Sequence, residues 1–326
     1  MEELYPNLTP EELFRVLAAG RRPWHDNYLA MFSSLWGGFS LYPELWGVPP
    51  DDHMVHRGDA VFEFFKVVQG QAYCLPEHLE RLSRSAEGMG IDPPPLLGKL
   101  MDILKKAHKL GGHQDYSVRL TISRGPGSFS VNPYECQGTQ LYLVTMRLKK
   151  PSSDTYVKGI RLMTTPFPAK TIFSGLKTCD YLHNLLAKKA AMDAGGDYAV
   201  SFDPDGFLAE GATENVLVVT KDRELIAPPL ERILKGVTMM RVMDLAKSLV
   251  ADGTLKAVVH RDILKNDLRA LASEILLTST SFDVLGVSHW DGDPVGEGRT
   301  GPVTKALSKL IDEEIHSGGE HSVSLA

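Results

Sequence analysis

Short apolar segments with the character of β-strands recur along the chain from about Val55, and helical segments separate only some of them. A purely parallel sheet requires a crossover, usually a helix, between successive strands. The irregular alternation instead predicts a mixed α/β protein of the α+β kind, with a mixed sheet or barrel. The strand-like segments are VFEFFKVVQ, DYSVRLTISRG, QLYLVTMRL, GIRLMTT, YAVSF, NVLVVT, RELIAP, SEILLTST and DVLGVSHW.

Helical periodicity is clearest in the second half of the chain, near residues 181–194, 236–251 and 301–316. In the last of these, apolar residues recur three and four positions apart, as on one face of an amphipathic helix. Two further helices are predicted in the first half, at PEHLERLSRSAEGMG and LLGKLMDILKKAHKLGG. The first of them begins with a proline and ends at a glycine, which are typical helix boundaries.

The domain organisation follows from the polar, proline-containing segment KKPSSDTYVKG, which is typical of a linker. A chain of 326 residues is long enough for two domains. We expect an N-terminal extension over residues 1–50, a small α/β domain over 51–150, a linker over 151–158 and a larger barrel-like domain over 159–326. Apart from a short helix at PEELFRVLAA, the extension is rich in Trp, Gly and Pro and is expected to be irregular.

The composition excludes several functional classes. A net charge of −6 and a pI near 6.0 argue against nucleic-acid binding, which usually requires a basic face. No apolar run approaches the roughly 18 residues that a membrane span needs. The start, MEELYPNLTPEEL, is acidic and lacks the features of a signal peptide. Three widely spaced cysteines indicate neither a disulfide framework nor a cysteine-based zinc site, so we expect a cytoplasmic protein.

Several polar segments are suited to binding an anion. The start of the helix at Gly236–Thr238 offers free backbone N–H groups and the positive end of the helix dipole. The TSTS segment at 278–281 adds hydroxyl donors, and Arg81 in HLERL belongs to the residue type that grips phosphate in a bidentate manner. Glu210, between two apolar strands, is expected to be partly buried, and a buried carboxylate requires a cationic partner.

The order of these motifs resembles that of the fold-type IV pyridoxal 5′-phosphate enzymes. The chain carries HLxRL, a lysine leading into YLxN, AEGxxEN, LxGVT and TSTS. That family includes branched-chain aminotransferases, D-amino-acid aminotransferases and aminodeoxychorismate lyases. The resemblance extends from about Asp52 to Lys309.

The resemblance implies a role for each matching residue. Lys177 would hold pyridoxal 5′-phosphate as a Schiff base and move the substrate proton, while Glu210 would keep the pyridine nitrogen protonated. Tyr181 would lie near the phenolic oxygen of the ring. The implied phosphate contacts are Arg81, Val237, Thr238 and Thr280. The implied substrate contacts are Arg119, Phe62 and Ser281, and Glu214, Asn215 and Ser279 are expected to line the same pocket.

The resemblance favours an aminotransferase that takes branched-chain or other apolar L-amino acids with 2-oxoglutarate. Arg119 stands where branched-chain aminotransferases often keep an arginine for a distal carboxylate. The segment SRGPGSFSVNP lacks the Arg-x-His pair with which D-amino-acid aminotransferases hold the substrate carboxylate. D-amino-acid aminotransferase and aminodeoxychorismate lyase activities remain alternatives, and a non-catalytic cofactor-binding protein is a third.

Two further expectations come from the family. The protein is expected to be a homodimer in which the partner's small domain completes each pocket. The expected small-molecule partners are an amino acid and a 2-oxo acid. No nucleic-acid or membrane partner is expected. His53 and His56 lie beside two aspartates, but HMVHRGD is similar to the loop that leads into the first strand of the family, so no metal site is predicted.

Overall fold

The computed structural model describes residues 6–112, 114–170 and 172–326. In these parts of the chain, strands form two sheets, and helices pack against both of them. The expected mixed α/β class is confirmed. No helix in the described residues is long and apolar enough to cross a membrane.

The helices and strands are numbered here in chain order. The helices are α1 (Pro10–Ala18), α2 (His53–Arg57), α3 (Leu75–Gly88), α4 (Leu100–Leu110), α5 (Ser153–Lys158), α6 (Leu182–Asp193), α7 (Val237–Ala251), α8 (Lys265–Leu271) and α9 (Pro302–Ser317). The strands of the first half are β1 (Tyr28–Ser33), β2 (Gly38–Ser40), β3 (Ala60–Val68), β4 (Gln71–Tyr73), β5 (Tyr116–Ser123) and β6 (Gln140–Arg147). Those of the second half are β7 (Ile160–Thr164), β8 (Tyr198–Val200), β9 (Asn215–Thr220), β10 (Glu224–Ala227), β11 (Ala257–His260), β12 (Ala272–Ser279), β13 (Asp283–Trp290), β14 (Asp293–Pro294) and β15 (Ser322–Ser324).

The first sheet has the strand order β15-β4-β3-β5-β6-β1-β2, and its neighbouring strands are antiparallel. Apolar residues of β3, β5 and β6 pack with those of α3 and α4 in one hydrophobic cluster. Phe65 belongs to this cluster, whereas Phe62 and Phe64 point to the other face, because successive side chains of a strand alternate.

The second sheet has the order β11-β10-β9-β12-β13-β7-β8, with β14 paired to β13. It is mixed, because β10 and β11, β13 and β7, and β7 and β8 are parallel pairs. Helices α7 and α9 share a hydrophobic cluster with residues of β9 and β12. The predicted helices near 181–194, 236–251 and 301–316 correspond to α6, α7 and α9.

The N-terminal stretch is more regular than the sequence suggested. β1 pairs with β6, and β2 pairs with β1, so residues 28–40 are part of the first sheet and the expectation of irregular structure there is wrong. The apolar run YLAMFS supplies the buried strand, but the surrounding tryptophans, glycines and prolines obscured its signal. The linker segment also contains a short helix, α5, capped by Ser152. The domain boundaries themselves stay a prediction.

A buried ion pair joins the two sheets. The ammonium group of Lys66 on β3 contacts the carboxylate of Asp283 at the start of β13, and both side chains are almost fully buried. The Nζ atom of Lys150 lies 3.8 Å from the same carboxylate. Burial lowers the pKa of Lys66, and the charge of Asp283 opposes that effect. Such a pair fixes the relative position of two elements more than it adds stability.

The segment around Lys177 crosses from the second half of the chain to the first sheet. The N–H group of Phe62 donates to the carbonyl of Lys177 at 3.0 Å, and that of Cys179 donates to the carbonyl of Ala60 at 2.8 Å. Strand β4 pairs with β3 only at Val67 and Val68, so the other end of that edge is free to accept this segment. Lys177 is thereby held at the seam between the two sheets.

Candidate active site

A cavity of about 250 Å³ lies at this seam. It is lined from the first half of the chain by phenylalanines and arginines and from the second half by a lysine, a tyrosine and many hydroxyl and backbone groups. The lining residues are Phe62, Phe64, Arg81, Arg119, Lys177, Tyr181, Thr213, Asn215, Leu234, Gly236, Val237, Thr238, Thr278, Ser279, Thr280 and Ser281.

The amine of Lys177 faces this cavity and lies beside two aromatic side chains. Its Nζ atom lies 3.5 Å from the hydroxyl of Tyr181 and 4.7 Å from the centre of the Phe62 ring. Its backbone N–H donates to the hydroxyl of Ser85 at 3.1 Å, which anchors the main chain. Burial, followed by the positive charge of Arg81, lowers the pKa of Lys177 to about 8. Near neutral pH a substantial fraction of this amine is therefore neutral and nucleophilic.

Arg81 is held in place by a buried carboxylate and a backbone carbonyl. Its guanidinium donates to both carboxylate oxygens of Glu63, from Nε at 2.7 Å and from Nη2 at 2.8 Å, and Nη1 donates to the carbonyl of Lys235 at 3.1 Å. His78 Nδ1 lies 2.7 Å from the same carboxylate. Burial alone would raise the pKa of Glu63, but Arg81 and His78 overcome it and bring the pKa to about 2. The arginine is thus oriented before any ligand binds.

The start of α7 lies beside Arg81. Gly236 precedes the helix, and no side chain caps its first N–H groups. A Cβ atom on Gly236 would lie 1.8 Å from Asn215 Oδ1, so the close approach of these segments requires glycine. The hydroxyl of Thr278, which also lines the cavity, is buried and has no hydrogen-bond partner. Free helix N–H groups, an arginine and an unpaired hydroxyl together form a set of donors that suits a phosphate group.

Glu210 lies behind the residues that line the cavity and contacts one of them, Asn215. Its Oε2 accepts hydrogen bonds from the N–H of Leu234 at 3.1 Å and from Asn215 Nδ2 at 3.3 Å. Burial raises the pKa of Glu210 to about 8, although the hydrogen bond from Leu234 and the charge of Lys177 partly offset it. A buried carboxylate with this raised pKa would gain stability from a further cationic group beside it.

The apolar side of the cavity is formed around Phe62. The guanidinium of Arg119 lies 3.8 Å from the centre of the Phe62 ring, and the ring of Tyr181 meets the same ring edge-on at 5.2 Å. Arg119 faces Phe64 across the β3–β5 pair, so both belong to the same face of the sheet. The cavity therefore offers aromatic surface for an apolar side chain and one cation for a carboxylate.

The structure brings most of the residues predicted from the sequence to one place. The predicted residues that line the cavity are Lys177, Arg81, Tyr181, Val237, Thr238, Thr280, Arg119, Phe62, Ser281, Asn215 and Ser279. Two predicted residues do not line it: Glu210 lies behind Asn215, and the carboxylate of Glu214 turns back to accept a hydrogen bond from the N–H of Thr213 at 3.0 Å.

Sequence reasoning missed the partners of Arg81, whereas the hydroxyl of Thr278 belongs to the predicted TSTS donor segment. A signal for Glu63 was present, because a glutamate within the apolar run VFEFF requires a buried cation if the strand is central. The sequence did not indicate which cation it would meet.

A larger groove of about 920 Å³ lies elsewhere on the first sheet, near Arg124 and Cys136. It does not offer a free cation at Arg124, because both carboxylate oxygens of Asp59 accept hydrogen bonds from that guanidinium, at 2.6 and 3.0 Å. The smaller cavity at the seam is therefore the better candidate for chemistry.

Sequence comparisons find related proteins of known class. The family "Amino-transferase class IV" matches residues 60–290. The chain is 34% identical over 295 residues to the D-amino-acid transaminase, chloroplastic, of Arabidopsis thaliana, covering 90% of this chain and 78% of that protein. It is 29% identical to a putative branched-chain-amino-acid aminotransferase of Methanocaldococcus jannaschii, covering 80% and 89%.

The fold is similar to that of solved aminotransferases. The T.th. branched-chain amino acid aminotransferase complexed with N-(5′-phosphopyridoxyl)-L-glutamate superposes with a TM-score of 0.82 at 25% identity, covering 92% of this chain and 99% of that one. The Escherichia coli branched-chain amino acid aminotransferase gives a TM-score of 0.83 at 24% identity, covering 92% and 100%.

The ion pair between Arg81 and Glu63 predicts that Glu63→Gln strongly destabilises the folded protein. At pH 7 this change leaves the buried guanidinium without its counter-charge, so we expect a loss of about 3–5 kcal/mol in the free energy of unfolding. Glu80→Gln, which removes an exposed partner of Arg84 on the same helix, should cost no more than about 1 kcal/mol.

Urea denaturation at several pH values measures both effects. Because the folded-state pKa of Glu63 is depressed from 4.5 to about 2, the wild-type advantage is complete above pH 4.5 and is lost as the pH falls toward 2. Equal stabilities of wild type and Glu63→Gln at pH 7 would contradict the pairing.

The lowered pKa of Lys177 predicts how its reactivity depends on pH. In the cofactor-free protein, acylation of this amine should reach half its maximal rate near pH 8, whereas a free lysine side chain does so at about pH 10.4. Competitive labelling with an amine-directed reagent, followed by mass spectrometry of the Lys177 peptide, measures this midpoint. A midpoint near that of free lysine would show that the amine is solvated.

Proposed function

Because the chain belongs to the class IV aminotransferase family, we propose that its cavity holds pyridoxal 5′-phosphate and that it moves an amino group between an amino acid and a 2-oxo acid. One observation carries this proposal. A lysine with a pKa of about 8 lines the same cavity as an oriented arginine and an uncapped helix start. When bound, the cofactor supplies an aldehyde and an electron-withdrawing ring.

Different residues at the seam would bind different parts of the cofactor. Lys177 would attach the aldehyde carbon covalently, and Arg81, the N–H groups of Val237 and Thr238 and the hydroxyl of Thr280 would bind the phosphate. Glu210 would receive the ring nitrogen, whose positive charge would supply the cationic partner that this buried carboxylate otherwise lacks. The hydroxyl of Tyr181 would lie near the phenolic oxygen.

Proton transfer would then fall to Lys177. With a pKa of about 8 its amine exists in both protonation states near neutral pH, so it can accept the proton of the substrate Cα atom and return it. The ring of Phe62 beside the amine limits the access of water.

For the substrates, we propose branched-chain or other apolar amino acids as donors and 2-oxoglutarate as the acceptor. Phe62 and Phe64 provide an apolar wall, and Arg119 provides the cation for a distal carboxylate. Ser281 and Ser279, whose hydroxyl oxygens lie 3.2 Å apart, would bind the α-carboxylate.

D-amino-acid transamination is the second candidate. It is supported by the 34% identity to the plant D-amino-acid transaminase. The chirality of the accepted substrate depends on which parts of the cavity receive its α-carboxylate and its side chain, so both enantiomers are assayed.

A panel of amino acids and acceptors tests the proposal. D- and L-forms of leucine and alanine are assayed with 2-oxoglutarate and with pyruvate. Arg119→Leu should raise the KM for 2-oxoglutarate about ten- to hundred-fold, the equivalent of about 1.5–3 kcal/mol for a hydrogen bond to a charged group. The KM for pyruvate, which has no distal carboxylate, should change little.

Lys177→Ala is the control, because it should lower the turnover by at least about a hundred-fold for every pair. Hydride reduction of the holoprotein should label the Lys177 peptide and not the peptide of nearby Lys170. Release of pyruvate from aminodeoxychorismate without an amino acceptor would favour a lyase, and labelling of another lysine would end the proposal.

We also propose that the protein acts as a homodimer in a reducing compartment such as the cytoplasm. Beside the cavity, Leu182 and Leu185 on α6 are 65% and 60% exposed, and the nearby Ile172 and Phe173 are 73% and 54% exposed. An apolar patch of this kind next to an active site is typical of an interface. Sedimentation should give a dimer that Leu185→Asp dissociates, and cell fractionation tests the compartment; an active monomer would contradict the dimer.

A further inference from the structure

The C-terminal segment brings a histidine to the first turn of α3. Strand β15 pairs with β4, and the N–H of Cys74 donates to the carbonyl of His321 at 2.7 Å. His321 Nδ1 lies 3.3 Å from Glu77 Oε1, although 244 residues separate the two in sequence. One ligand atom from each of Cys74, Glu77 and His321 lies within 4.8 Å of the others.

This cluster has more carboxylates than cations. Glu77 Oε2 is buried and has no hydrogen-bond partner, and Glu320 Oε1 lies 3.4 Å from His321 Nε2. The neighbouring Arg241 is committed elsewhere, because its Nε and Nη2 atoms donate to Glu314 at 3.1 and 2.6 Å. The cluster is therefore short of positive charge.

We propose that Cys74, Glu77 and His321 form a binding site for a zinc-class divalent ion. A thiolate, an imidazole and a carboxylate are the ligands that zinc prefers, whereas calcium and magnesium take oxygen ligands alone. The fourth position is filled by Glu320 or by water. Binding transfers the thiol proton of Cys74 to the solvent, and the sulfur donates an electron pair to the metal.

The geometry requires only a small adjustment. Ligand atoms around one zinc ion lie roughly 3–4 Å apart, as follows from bonds of about 2.0–2.3 Å in a tetrahedral arrangement. The present separations reach 4.8 Å, and the Glu77 side chain, 40% exposed, can move to shorten them. No pattern in the sequence indicated this site, because the histidine is supplied by the fold and not by a local motif.

A bound ion would link the segment that carries His321 to α3, the helix that carries Arg81. Glu77 lies one turn before Arg81 on α3, so the ion would fix the helix start next to the proposed phosphate site. In the alternative arrangement, no metal binds, and a protonated His321 bridges Glu77 and Glu320. The experiment must separate these two possibilities.

The test uses the purified holoprotein, stripped with a chelator and then titrated with zinc. We expect one equivalent to bind tightly and to raise the unfolding temperature. X-ray absorption at the zinc edge should show one sulfur among the nearest neighbours of the metal. Cys74→Ser and His321→Ala should each weaken binding by more than about ten-fold, with the sulfur signal lost in the first variant.

Cys136→Ser removes a thiol in the connection between β5 and β6 and serves as the matched control. It should bind zinc as the wild type does. The proposal is overturned if the stripped protein binds no zinc, if the bound zinc has no sulfur neighbour, or if Cys74→Ser and Cys136→Ser bind equally. Because none of these measurements depends on aminotransferase activity, the outcome is independent of the proposed function.

Discussion

The carboxylate of Glu63 is enclosed by protein, and that enclosure determines much of the site. A buried charge is tolerated only when it is paired and hydrogen-bonded, so Glu63 holds Arg81 by two hydrogen bonds and contacts His78. Arg81 in turn reaches the carbonyl before Gly236, which aligns it with the start of α7. The face of the cavity at which we propose that the phosphate binds is thus assembled around a carboxylate that does not itself line the cavity.

The cavity exists only because two sheets meet. Lys177 belongs to the second half of the chain, yet its carbonyl accepts a hydrogen bond from Phe62 on β3. Across the same seam, Lys66 and Asp283 form a buried ion pair. Both contacts restrict how the sheets can slide, which matters because covalent attachment and proton transfer require positions held to within fractions of an ångström.

The sequence predicted the longer helices and most central strands, but not the short helices α2, α5 and α8. Most of the residues that it singled out line the cavity. Amphipathic periods and ordered motifs are local signals, and for that reason these elements and residues could be found from the sequence alone. What failed depended on tertiary contacts: strand β1 was hidden among turn-forming residues, and Glu214 turned toward its neighbour Thr213. The partner of Glu63 and the approach of His321 to Cys74 could not be deduced either, because no local pattern encodes which distant residue a folded chain brings near.

Strand β15 has a consequence for the order in which the molecule can form. Residues 322–324 complete the edge of a sheet whose other strands come from the first 147 residues, and Leu325 is fully enclosed there. During synthesis, the outer edge of that sheet stays uncovered until residues 322–324 have left the ribosome. Contacts so remote in sequence slow folding, and until they form, the uncovered edge is open to pairing with other nascent chains.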